Sequence, residues 1–562
     1  MSRGPGPDLK ALVRSRVRAA AVAAGFGDAV PEEARIVVEL PREFAHGDLA
    51  CPLAFALAKA LRRPPAEVAA AVKEHLAADA VVERVEVAGG GYLNFFLGGE
   101  VWEGVLGSIE AAGPGWGHGL ALSGERILVE FVSANPTGPL VVANARAASF
   151  GDALCRCLEA AGAKVEREYY VNDAGSQVRN LGLSVTAFWF KEQGRESEFA
   201  IPEDGYRGGY VKSLVEPSFS LVPEAFVPHA QPEIVDRLAQ VSVGEMLKRQ
   251  KADLGKLSVA FTSWFHESEL HRQGKVGEAL EALEAKGAVY EKDGARWFRA
   301  TAHGDEKDRV LIKSDGQPTY TLPDVAYHRH KFARGFTRLI DIVGADHQVE
   351  MATLRAALAV LGEPVDRLEV IITQFVTLKR GSEKVKMSKR SGDVVPLSEL
   401  VDEVGPDAAR FLFLLRAPSS HLEFDLELAK STTMENPVYY VQYAHARLCN
   451  VVEHAKAEGL GSPSAVDGAP ARLADPESRL VLRKLARWPL VVEKAALTRA
   501  PHLLAHELME LAQAVHQFYS QNRVVGAETA ELARARLALV AAARQTLANG
   551  LALLGVTAPE RM

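Results

Sequence analysis

A chain of 562 residues has room for roughly three or four domains. With 48% hydrophobic and 24% charged residues it is built to bury large cores, which excludes a disordered chain. The net charge of −7 excludes a uniformly basic nucleic-acid coat, yet residues 436–562 carry 14 Lys and Arg against 11 Asp and Glu. That section is suited to local contact with a polyanion. No window approaches about 18 uninterrupted apolar residues, so no membrane-spanning helix is expected. The opening MSRGPGPDLKALVRSRVRAA lacks the apolar core of a secretory signal. Cys51, Cys155, Cys157 and Cys449 are too few for a disulfide framework, and the 155/157 spacing does not suit a zinc knuckle. They read as reduced thiols of a cytoplasmic protein.

In chain order, residues 53–62 and 66–75 show amphipathic helical spacing. Residues 81–87 alternate as a strand, and Gly89-Gly90-Gly91 turns into the aromatic strand Tyr92–Leu97. This predicts a small α+β domain over residues 1–120. The glycines of residues 111–124 do not fit GxGxxG, because His118 stands at the third required position, and the stretch reads as a linker. Next, residues 126–132 form an apolar strand, SANPTGPL a turn, residues 143–161 a long helix and Lys164–Val171 a second strand. That β-turn-α-β order opens a doubly wound parallel sheet. Residues 173–299 read as mostly helical and polar, an insertion placed at about 175–300. Strand–helix alternation resumes with strands at 310–313, 339–343 and 368–372 and a helix at 349–361. The catalytic domain is thus expected at 121–397, a helical connection at 398–435 and an all-α bundle at 436–562.

Four constellations carry chemistry. In EFVSANPTGPL, Glu130 closes a strand and Asn135 lies in the following turn, facing the crevice where a doubly wound sheet binds ligands. By itself the stretch reads first as an Asn-Pro turn beside a solvated carboxylate. Lys386-Met387-Ser388-Lys389-Arg390 follows the last strand; six basic residues and one acid lie between 379 and 390. Clustered cations on a glycine-bearing loop neutralise charge developing on pyrophosphate. In SDGQPTYTLPDVAY, Tyr320 and Asp324 are four apart on one helical face, a pair fitted to a guanidinium. Gly344-Ala-Asp346-His347-Gln348 joins a buried strand to a helix, the usual place for a ribose or phosphate contact.

KMSKR is the second signature of class I aminoacyl-tRNA synthetases. Together with EFVSANPTGPL, REYYVNDAGSQV, SDGQPTYTLPDVAYH, GADHQ, VKMSKRSGDVV, NPVYYVQYAHARL and the C-terminal GVTAPERM, it makes the chain resemble the arginyl-tRNA synthetases over nearly its whole length. HGDLA (residues 46–50) and GGGYLNFFL resemble that family's N-terminal tRNA-binding domain. The resemblance implies a Rossmann-like α/β catalytic domain that activates arginine with ATP and Mg²⁺ and transfers it to tRNA. It implies no zinc, and a monomer is expected. It assigns arginine binding to Glu130, Asn135, Tyr320, Asp324, His347 and Gln348. ATP binding falls to Gly138, Leu140, Ala143, Asn144, Asp346, Lys386, Met387, Ser388 and Lys389, with Lys386, Lys389 and Asn144 as the catalytic groups. Tyr92 and Asn94 are expected at the tRNA D-loop; Tyr443, Arg447 and Met562 at the anticodon loop.

One departure stands out. Where the family has His-x-Gly-His, this chain has Val141-Val142-Ala143-Asn144. Valine donates no side-chain hydrogen bond, and Ala143 adds a methyl where close approach is wanted. Losing one donor to developing charge costs about 2.7–4 kcal/mol in a barrier. The alternative to an enzyme is a relative that binds tRNA or arginine without activating it.

Overall fold

The computed structural model describes residues 8–41, 43–219, 227–228, 231–381, 383–385, 395–461, 463–464 and 468–562. The N-terminal unit is a three-stranded antiparallel sheet of β1 (Leu49–Cys51), β2 (Val82–Ala88) and β3 (Tyr92–Leu97), with β3 in the centre. Alternation puts Leu93, Phe95 and Leu97 into the core. The helices Leu9–Ala21, Leu53–Leu61 and Pro65–Glu74 bury their apolar stripes in the same core. In HGDLA, Gly47 has φ 89°, and a Cβ there would lie 2.7 Å from the Phe95 carbonyl oxygen. Asp48 accepts from the Leu97 N–H at 2.9 Å and from Arg483 Nε at 2.5 Å, so this turn also docks the unit on the C-terminal bundle.

The central sheet holds β4 (Arg126–Glu130), β5 (Lys164–Val171), β6 (Ser263–His266), β10 (Arg338–Gly344) and β11 (Leu368–Thr373), all parallel, in the order β11-β10-β4-β5-β6. The chain leaves β4 toward β5 and later returns to β10 on its other side. This switch opens a crevice at the carboxyl ends of β4 and β10. Helix Val142–Ala160 runs between the sheet and bundle helix Pro476–Leu497, buried along most of its length by alanines and Gly151. A Cβ on Gly151 would meet the Phe131 ring at 2.4 Å, so small residues set this close approach. C-terminal to the sheet, helices Pro437–Ala457, Pro476–Leu497, His502–Gln521 and Ala530–Leu553 form the expected bundle around Trp488.

The expected helical insertion needs correction. Helices Ser176–Glu192 and Pro232–Lys256 pack together as an α-helical unit, but β6 within residues 175–300 is the edge strand of the central sheet. Four residues bounded by Ser263 and His266 are too short to show a period. The strand expected at 310–313 is β9 (Arg309–Ile312), and it does not belong to the parallel sheet. It forms a separate antiparallel sheet with β7 (Val289–Lys292) and β8 (Ala295–Phe298). Asp293 and Gly294, with φ 53° and 72°, make the two-residue hairpin that Asp-Gly favours.

Candidate active site

Glu130 ends β4, and the chain then turns through Val132 (φ 70°) and Ser133 (φ 38°). Two successive non-glycine residues in this region, one β-branched, store strain at the crevice. Hydrogen bonds hold the turn. Ser133 Oγ donates to Glu130 Oε1 at 2.8 Å and accepts from the Tyr170 N–H at 3.1 Å. Buried Gln250 donates to the carbonyls of Asn135 and Gly138 at 3.1 and 2.9 Å, and Tyr210 Oη donates to the Thr137 carbonyl at 2.8 Å. Tyr206 adds a hydroxyl contact to Thr137.

Glu130 and Asn135 face the crevice with different freedom. Lys331 Nζ donates to Glu130 Oε2 at 2.5 Å. The exposed Asn135 side chain donates to Gln177 Oε1 at 2.6 Å, and Gln177 Nε2 donates to Tyr320 Oη at 3.1 Å. This chain of contacts joins the β4 turn to helix Thr321–Ala333, whose first turn presents Tyr320, 57% exposed, and Asp324 on one face. Burial pushes the Asp324 carboxyl up to about 7; His328 opposes this, and the carboxylates of Glu130, Glu267 and Glu350 add to it. Asp324 thus feels several carboxylates, of which Glu130 is paired with Lys331.

Glu267 has no signature in the sequence, where it is one Glu in a polar run. The structure brings it here on helix Glu267–Arg272, with Tyr170 Oη donating to its Oε2 at 2.8 Å. Gln177 lies within the family-like stretch REYYVNDAGSQV, where no local signal marks it as a site residue. Asp346, His347 and Gln348 are exposed at the carboxyl end of β10, with His347 Nδ1 2.6 Å from Glu350 Oε2. The Glu350 contact, ahead of an opposing burial effect, raises the His347 imidazole above its ordinary value.

At the degenerate signature, Val141 caps helix Val142–Ala160. Asn144 Oδ1 accepts from the Val141 N–H at 2.9 Å, one half of a capping box that a valine cannot complete. The Asn144 carbonyl is thereby turned back to the helix start, leaving its amide Nδ2 as the side-chain donor. Ala143 is exposed at the helix mouth, whereas Leu140 is fully buried and its carbonyl accepts from the Leu397 N–H at 2.8 Å. Leu140, which the resemblance places at ATP, thus has its side chain packed in the core. Arg146, deeper in the helix, donates to the carbonyls of Gln374, Ala417 and Ser420 at 2.8, 3.0 and 2.8 Å, and burial brings it down to about 10. Lys386, Met387, Ser388 and Lys389 lie outside the described residues. Their flanks are β12 (Val376–Arg380) hairpinned with β13 (Glu383–Lys384) and a bridge from Pro396 to Val141.

Asn144→Ala is expected to slow adenylate formation by about 1–3 kcal/mol, the cost of a lost polar partner in a desolvated site. The missing cap contact should also lower the melting temperature. Single-turnover activation and thermal melting check the two effects separately, and an unchanged rate assigns phosphate support to another group.

Two outer surfaces complete the picture. On the bundle, Tyr439, Tyr443 and Arg447 repeat every four residues along one helix. Tyr443 stacks on Tyr439 at 5.9 Å and on His516 at 6.0 Å, and the Arg447 guanidinium covers the Tyr519 ring at 3.8 Å. Such a row offers ring faces to unpaired bases. The tail bearing exposed Met562 is pinned beside it: Gln442 Nε2 donates to the Thr557 carbonyl, and His445 Nδ1 to that of Pro559, both at 2.9 Å. On the N-terminal sheet, Tyr92 is half-buried against Phe55. Asn94, expected with Tyr92 at the D-loop, is only 4% exposed between its neighbours Ala50 and Glu86.

Comparison with known proteins follows these boundaries. The model described as "Arginyl tRNA synthetase N terminal domain" matches residues 8–97. The one described as "tRNA synthetases class I (R), catalytic domain" matches 120–414, and the "DALR anticodon binding domain" matches 441–562. The arginine–tRNA ligase of Carboxydothermus hydrogenoformans is 44% identical over 550 residues, covering 98% of each chain. That of Oceanobacillus iheyensis is 42% identical over 537 residues, covering 95% of each. The solved Thermus thermophilus arginyl-tRNA synthetase superposes with a TM-score of 0.76 at 26% identity, covering 99% of this chain and 100% of that one. With these matches spanning the crevice, the N-terminal unit and the bundle alike, the chain belongs to the arginyl-tRNA synthetases, a class I aminoacyl-tRNA synthetase family.

Proposed function

We propose that this crevice joins arginine to tRNA in two steps. A carboxylate oxygen of arginine attacks the α-phosphorus of ATP, and pyrophosphate leaves. A hydroxyl of the terminal tRNA ribose then attacks the carbonyl of arginyl-adenylate, and AMP leaves. No protein nucleophile is required, so positioning and charge stabilisation carry the rate. The observation that carries this reading is the hydrogen-bonded chain Asn135–Gln177–Tyr320, which joins the turn after Glu130 to the helix face of Tyr320 and Asp324, a carboxyl suited to a guanidinium.

In this reading Tyr320 and Asp324 hold the guanidinium, while Glu130 and Asn135 hold the substrate's other polar groups. Asp346, His347 and Gln348 serve the ribose and the amino acid. The free N–H groups at the start of helix Val142–Ala160, Asn144 Nδ2, Lys386 and Lys389 hold the phosphates. Mg²⁺ enters as part of the ATP complex, with ligands that are mainly phosphate oxygens and water, and supplies charge neutralisation. Tyr443, Arg447 and Met562 meet the anticodon loop, and Tyr92 the D-loop. The protein works in the cytoplasm as a monomer. A second reading, a tRNA-binding relative without activation, draws on Val141, which gives the phosphates no side-chain donor. An aminoacylation assay with purified protein, labelled arginine, ATP–Mg²⁺ and the matching tRNA separates the two. Charged tRNA is expected; binding of tRNA and arginine without charging selects the second reading.

The Asp324 environment also sets a pH dependence. Its neighbours are His328 on the same helix, Glu130 on β4, Glu267 on helix Glu267–Arg272, Tyr170 on β5, and His347 and Glu350 at the carboxyl end of β10. A carboxyl raised to about 7 is ionised, and so able to pair with the guanidinium, only above that pH. The kcat/KM for arginine is expected to fall about tenfold per unit below pH 7. The limb in kcat should sit lower, since bound guanidinium favours the charged form. A pH–rate profile flat from 8 to 5.5 would exclude Asp324 as the group that must be ionised.

A further inference from the structure

The β4 and β10 registers place Glu130 beside Asp341, and the β4 and β5 registers place Glu130 beside Glu168. Three carboxylates therefore stand side by side on one face across three adjacent parallel strands. Neighbouring like charges on a sheet are destabilising, and buried ones severely so, unless each is paired. Helix Thr321–Ala333 and the residue that ends it supply the partners from above. Tyr327 Oη and Arg334 Nη1 donate to Glu168 at 2.8 and 2.6 Å. His328 Nε2 lies 2.6 Å from Asp341 Oδ2. Lys331 Nζ, fully buried, spans two members of the row, donating to Glu130 Oε2 at 2.5 Å and to Asp341 Oδ1 at 2.8 Å. Burial pushes the Asp341 carboxyl up, but Lys331 and His328 outweigh it and hold the group below the usual carboxylate range.

The face of this helix that grips the carboxylate row continues, one and two turns toward its N-terminus, into Asp324 and Tyr320. The sheet end of the crevice (Glu130) and the helix end (Tyr320, Asp324) are thus tied together by one buried ammonium. We propose that Lys331 is a positioning residue for arginine: it orients the Glu130 carboxylate and sets the spacing between Glu130 and the guanidinium-binding face. It touches no substrate and acts through Glu130. An apolar residue pair would pack the same space at less electrostatic cost but would not fix the register of helix over sheet. This inference rests on the reading of Glu130 and Asp324 as arginine ligands.

The test is steady-state kinetics on Glu130→Gln, Lys331→Met and the double variant, with KM for arginine and for ATP and kcat measured for each. If Lys331 acts through Glu130, Lys331→Met raises the arginine KM at least tenfold and leaves the ATP KM within about twofold. The double variant is then no worse than Glu130→Gln alone, because coupled residues do not add. Two results overturn the proposal: arginine and ATP KM rising together, or a Lys331→Met effect that multiplies in full on Glu130→Gln. An unchanged arginine KM in Glu130→Gln instead overturns the assignment of Glu130 on which it rests. Since Lys331→Met leaves buried carboxylates unpaired, Lys331→Met/Asp341→Asn, which removes one charge of each sign, is the folding-tolerant companion. The same selective rise in arginine KM is expected for it, and a normal arginine KM in a folded companion also overturns the proposal.

Discussion

Asp324→Asn is expected to cut the kcat/KM for arginine by between about a hundredfold and several thousandfold while leaving the KM for ATP near its starting value. The lower and upper figures correspond to the roughly 3–5 kcal/mol lost when one side of a buried charge-assisted pair is removed. In the proposed reading, an asparagine keeps the shape but withdraws the charge that draws a guanidinium into the crevice. The loss should not come from unfolding. A carboxyl raised from its unfolded value to about 7 binds its proton more tightly in the folded chain. Its ionisation therefore destabilises the fold, beginning above the unfolded value of about 4 and reaching its full extent above 7. The neutral amide of the variant carries no such cost, so its melting temperature at pH 8 should equal or exceed that of the parent. Equal rises in both KM values, or a melting temperature well below the parent's, would remove Asp324 from the arginine pocket.

Where local chemistry decides an element, the chain announces it. Lys164–Val171 is a strand over the residues its pattern marks, and Tyr320 and Asp324 share a helical face as their spacing requires. The four bundle helices also fall within the all-α section expected at 436–562. Elements whose existence depends on partners stay hidden. Strand β6 is four residues long and becomes a strand because β5 offers it an edge. The Asp293-Gly294 hairpin carries a recognised turn signal, yet it sits in a stretch where polar composition suggests helix. The site follows the same division. Motif residues such as Glu130, Asn135 and Asp324 could be named from their surroundings in the chain. Glu267 and Lys331 could not, because sheet register and helix docking bring them to the crevice across separations of 137 and 201 residues from Glu130. Leu140 and Asn94 show the converse: motifs mark them, but not that the fold buries both side chains.

Lys389→Ala is expected to slow adenylate formation far more than it weakens arginine binding. Lys389 lies between two fixed points. Upstream, Lys379 and Lys384 pair across the β12–β13 hairpin, and downstream Pro396 bridges to Val141 at the mouth of helix Val142–Ala160. Pro396 follows Lys389 by seven positions in the sequence. In the proposed reading, a chain whose Val141 cannot donate depends all the more on the signature lysines for positive charge at the phosphates. A tenfold rate change is about 1.4 kcal/mol, and removing a charged clamp on departing pyrophosphate should exceed that several times over. Single-turnover activation with tRNA present, set beside arginine binding measured without ATP, reads the two effects apart. A rate near that of the parent would make the basic loop a solvated face and leave the backbone N–H groups and Asn144 to carry the phosphates alone.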